Sequence, residues 1–65
     1  MSGPRTTAAI VYLTQLEAEA LAQFVKRVGW NEICTNAAHR EEAELMRTAL
    51  EQLRRGLQDA GHDPR

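Results

Sequence analysis

Residues 39–61 read HREEAELMRTALEQLRRGLQDAG, the most strongly patterned stretch of the chain. Met46, Ala49, Leu50, Leu53, Leu57 and Ala60 recur at spacings of three and four, which a period of 3.6 gathers into one apolar stripe. The spacing predicts a helix over about 39–60, with Gly61 placed to end it and Pro64 to prevent its renewal. Gly56 inside it costs about 1 kcal/mol relative to alanine and suggests close approach of another backbone. On the opposite face Arg40, Glu44, Arg47, Glu51 and Arg54 alternate in sign one turn apart, the pattern of a solvated ladder that neutralises itself.

Upstream, Thr14 and Glu17 have the spacing of a capping box, in which hydroxyl and carboxylate each satisfy a backbone N–H of the first turn. Ala20, Leu21, Phe24, Val25 and Val28 follow at helical spacing, with Glu17 and Glu19 at the positive end of the helix dipole and Lys26 and Arg27 at the negative end. This predicts a second helix over 15–28, paired with 39–60 as an antiparallel hairpin through Leu21, Phe24, Val28, Met46, Leu50, Leu53 and Leu57. Gly29 is expected to take a left-handed conformation that closes the first helix. Between the two, NEICTNAAH reads either as a short helical turn near 31–36 capped by Asn31 or as a loop, with Ile33 as its core residue.

Trp30, directly after Gly29, admits two readings. A residue after a glycine cap commonly packs back over the last turn, which would lay the indole on Val25 or Phe24. Alternatively its face stays open as an anchor for a partner, with Lys26 and Arg27 as a basic rim suited to an acidic surface. These three residues form the candidate partner-binding site.

The N-terminal MSGPRT has almost nothing to bury, so residues 1–6 are expected to be a disordered leader and 62–65 a frayed tail around a single small domain. Between leader and helix, Ala8–Leu13 is rich in β-favouring residues and could form a short strand, which would need a copy of itself or a partner's sheet to pair with. The fold expected is thus mainly α, with a short N-terminal strand as an option.

A chain of 65 residues with one cysteine can bury only about 60% of its unfolded surface and has no disulfide to compensate, and roughly sixteen large apolar side chains must supply its core. Self-association, as a twofold homodimer, is the simplest way to enlarge that core. The unpaired thiol and the absence of a membrane-length or signal-like apolar run point to the cytoplasm. Eight Lys and Arg against nine Asp and Glu give a net charge of −1, which argues against binding a phosphate backbone.

Catalytic chemistry finds little support. His39 and His62 lack companion ligands at metal-binding spacing, so no metal or other cofactor is expected. Cys34 could pair with His39 as nucleophile and base, but no orienting third group is marked, and the thiol reads more simply as a buried small side chain. Glu41 and Glu42 project about 100° apart on a helix and do not converge as an acid pair. The chain is expected not to be an enzyme. A strand before two helices invites comparison with the dimeric ribbon-helix-helix DNA-binding regulators, the alternative reading. Here, however, neither face of Thr7–Leu13 offers the polar groups that base edges require.

Through ALAQFVKRVGWNE and LMRTALEQLRRGLQDAGHDPR, the more specific pieces being AQFVKRVGW and DAG followed by PR, the chain resembles short uncharacterised bacterial proteins encoded on plasmids and integrative elements. The resemblance runs from about Leu13 onward and carries no site residues. It implies an acidic pair before the last helix, where this chain has His39 and Arg40, so the cap there is not specified. It also implies a mobile-element setting. From that setting we expect a non-enzymatic protein-binding module that inhibits a host defence complex in the manner of anti-CRISPR proteins, by covering a surface of a larger assembly.

Overall fold

A computed structural model describes residues 5–61. They form three helices: α1 (Gln15–Arg27), α2 (Trp30–Asn36) and α3 (Arg40–Asp59). The protein is mainly α. Among the described residues there is no strand, so the expected option at Ala8–Leu13 is corrected: the segment is irregular, with Ile10 80% and Tyr12 93% exposed. Extended β-branched backbone needs a neighbouring strand for its N–H and C=O groups, and the described residues supply none. The expected leader and tail lie largely outside the described residues, as do His62 and Pro64.

The capping box at the start of α1 forms as its spacing predicts. Thr14 N–H donates to Glu17 Oε1 at 2.8 Å and Glu17 N–H donates to Thr14 Oγ1 at 3.1 Å. The helix ends differently from expectation. Val28 is the C-cap, donating its N–H to Phe24 O at 2.9 Å, and Gly29 is extended at φ −101° instead of left-handed. Gly29 serves the next helix: its N–H donates to Glu32 Oε1 at 2.6 Å and its carbonyl accepts from Ile33 N–H. The turn expected near 31–36 is therefore a helix starting at Trp30, with Gly29 and not Asn31 as N-cap. Glu32, three residues after Gly29, is what recruits that glycine to a helix start.

His39 caps α3. Its Nδ1 accepts from Glu42 N–H at 3.1 Å, and Glu42 Oε1 in turn accepts from Ala38 N–H at 2.6 Å, so an imidazole does the work usually given to a hydroxyl or carboxylate. At the far end Gly61 takes φ +92°, the left-handed stop that the sequence implies. Gly56 has room: a methyl built on it would meet nothing within 4 Å, so among the described residues no other backbone approaches it.

α3 is the spine. α1 and α2 each pack on it and not on one another. Ala18 and Ala22 of α1 meet Leu57 near the end of α3, with Leu21 and Val25 packed alongside. Ile33 of α2 and Ala43 of α3 are the other buried apolar residues. The core is thus Ala18, Ala22, Ile33, Ala43 and Leu57, and three of these five are alanines. Small residues let α1 approach α3 closely, and they bury little. Phe24, expected in the core, is 58% exposed, and Leu53 is 38% exposed.

Candidate functional site

Trp30, the first residue of α2, remains 37% exposed, while Ile33 on the same short helix is buried. Because the chain turns at Val28–Gly29 without a left-handed cap, the indole is carried forward onto the flank of α3. There Arg47 lies over it, with the guanidinium carbon 4.8 Å from the ring centroid. That distance is within the range of a cation–π contact. The two readings of Trp30 therefore merge: the ring packs, but against an arginine of another helix, and about a third of its surface stays open.

Around it is a cleft of about 290 Å³ lined by Val25, Lys26, Val28, Trp30, Ile33, Arg47, Leu50, Glu51 and Arg54. Three cations and one carboxylate thus border an aromatic and aliphatic floor. Lys26 lines the cleft with Trp30, while Arg27 lies elsewhere, in a depression shared with Phe24, Val28, Glu32 and Asn36. Successive residues of a helix project about 100° apart, and this separates neighbours in sequence onto different surfaces.

Arg47 and Arg54 are the residues that sequence reasoning missed. Their spacing places both in the self-neutralising ladder, yet among the described residues the only ion pair is Arg40–Glu44, at 3.3 Å between exposed side chains. Arg47 turns to the indole instead. A signal was available, since Arg47, Leu50 and Arg54 share one flank of the helix at spacings of three and four, but nothing local says which element covers that flank.

Cys34 is exposed, which corrects the expectation of a buried thiol: on α2 it is Ile33 that turns inward, and Cys34 lies one step round the helix. His39 Nδ1 is engaged in its cap. Among the described residues no three His, Cys, Asp or Glu side chains gather as a metal site, and no helix is long and apolar enough to cross a membrane.

No curated protein and no solved structure matches this chain. One family model does, over residues 1–65, and the chain accordingly belongs to DUF7706, a family of unknown function.

Proposed function

We propose that the chain is a non-enzymatic protein-binding module and that the cleft around Trp30 is its contact with an acidic partner surface. The observation that carries this reading is the indole under Arg47 with about a third of its surface open, with Lys26 and Arg54 in the same cleft against the single carboxylate of Glu51. An aromatic centre with a cationic rim is the composition that interface hot spots favour. The cleft is open and, at about 290 Å³, falls just below the roughly 300–1,000 Å³ that small-molecule sites occupy, which favours a side chain or loop of a macromolecule as occupant. Three cations on a chain of net charge −1 make a local patch, too small to track a phosphate backbone.

Capture from lysate of the native host, read by mass spectrometry, identifies the partner. Trp30→Phe should remain folded and bind that partner about 2 kcal/mol more weakly, because the smaller ring leaves part of its pocket empty and lacks the indole N–H. Normal binding by this variant, together with indifference to Arg47→Glu, removes the cleft from consideration.

The narrower reading, that the partner is a cytoplasmic host defence complex, is supported by the resemblance to proteins of plasmids and integrative elements. Its test is plasmid establishment in a host with an active defence system. Expression of the chain should raise establishment, and an unchanged frequency rejects the inhibitor role while leaving the binding cleft to its own experiment.

A further inference from the structure

Ahead of α1, residues 8–13 read AAIVYL, and no charged residue occurs between Arg5 and Glu17. Ile10 is 80%, Val11 70% and Tyr12 93% exposed, so the helices bury almost none of this apolar run. The backbone makes neither turn nor bend from Arg5 to Thr14. Among the described residues, none of the N–H or C=O groups of 5–13 bonds to another backbone group. An extended segment of this composition is a template for strand pairing, which proteins ordinarily blunt with charge or proline, and neither interrupts 6–13.

We propose that residues 8–13 are a recognition strand, which adds to the open edge of a β-sheet in a different protein. The backbone selects this partner. Extended chain presents its N–H and C=O groups to either side in alternation, and a sheet edge offers the complementary row. At about 3.3 Å per residue, the segment spans roughly 20 Å, the length of an ordinary strand.

The side chains narrow the choice. In a strand Ile10 and Tyr12 point to one face and Val11 and Leu13 to the other, so both faces are apolar. A strand with one solvated face alternates apolar with polar residues, whereas a continuous apolar run belongs to a sheet covered on both sides. The recipient is therefore the edge of a sheet that carries a packed layer on each face. A second copy of this chain does not fit that description. The described residues contain no sheet, and a ribbon of two such segments would be marginal, with both apolar faces in water. The strand is also separate from the cleft around Trp30: Lys26 of the cleft lies about 17 Å along α1 from Gln15, where the helix leaves the segment.

The test uses the full chain made by chemical synthesis, with single backbone amides of residues 8–13 replaced by esters, each of which removes one N–H and keeps every side chain. The probe is a protein that the wild type retains from lysate of its host and the Ile10→Asp/Tyr12→Asp variant does not, purified and titrated against each ester. Esters at one alternate set, either 8, 10 and 12 or 9, 11 and 13, should each weaken binding about tenfold, while the other set stays within about twofold. Trp30→Phe should leave this alternation unchanged, so failure of the strand and failure of the cleft read out separately. The aspartate variant should melt as the wild type does; a lower melting point places the segment on its own chain and overturns the proposal. So do esters that act without alternation, a lysate in which no retained protein depends on Ile10 and Tyr12, or retention of only another copy of this chain.

Discussion

Trp30 and His39 are each placed by one residue that local sequence rules do not single out. Arg47 spans from α3 to the indole, and because both groups are exposed the contact should contribute modestly: Arg47→Ala is expected to lower stability by about 0.5–1 kcal/mol in chemical denaturation. The same substitution should shift the emission of the chain's single tryptophan, since it removes the cation over the ring. His39 holds the start of α3 through Nδ1, so His39→Ala should cost about 1 kcal/mol, while His39→Ser, a more usual cap, should retain or raise stability. Equal melting of the wild type and the alanine variant would show that the imidazole does no capping. Histidine is outside the usual capping set, and so Thr14 could be read as a cap from its spacing whereas His39 could not.

Each helix carries the face its sequence spells out, yet the partners of those faces were assigned differently by the fold. Leu57 is 7% exposed between Ala18 and Ala22, and Leu57→Ala should cost about 2–5 kcal/mol, enough to unfold so small a protein by circular dichroism at any concentration. Leu53 belongs to the same stripe but is only partly covered by its own chain, so in dilute solution Leu53→Ala should cost less than Leu57→Ala. Periodicity names the stripe without ranking its members. At the end of α3, Gly61 at φ +92° should tolerate no side chain freely: Gly61→Ala is expected to lose about 1 kcal/mol and to fray the last turn, detectable as faster amide exchange there. α2 is the element least legible in advance, because its start depends on Gly29 and Glu32 acting across the turn that also ends α1.

At the scale of the whole molecule, five buried apolar residues, three of them alanines, leave the described chain with a thin core beside exposed Phe24, Leu45 and Leu53. If the chain self-associates, as its size leads one to expect, the midpoint of thermal unfolding should rise by several degrees with each tenfold increase in protein concentration. A midpoint independent of concentration would show that the single chain carries its own stability. The two flanks of α3 differ in character, one carrying the exposed apolar Leu45 and Ala49, the other the basic and aromatic cleft. A twofold dimer would present two such clefts, and a partner with two acidic sites would be held more tightly than either cleft alone allows.

The sequence by itself determined the helical class, the span of α3 to within a residue at each end, the capping box of α1 and the stop at Gly61, because each depends on residues within a turn of one another. Only the tertiary structure decided that Phe24 stays outside, that Arg47 leaves the charge ladder for the indole, that Arg27 faces another surface and that Ala8–Leu13 has no strand to join. Those outcomes depend on which flank of α3 each of the other helices occupies. Apolar stripes wider than one contact leave that choice open, and it is settled by the close approach that Ala18, Ala22 and Ala43 permit and larger side chains would not.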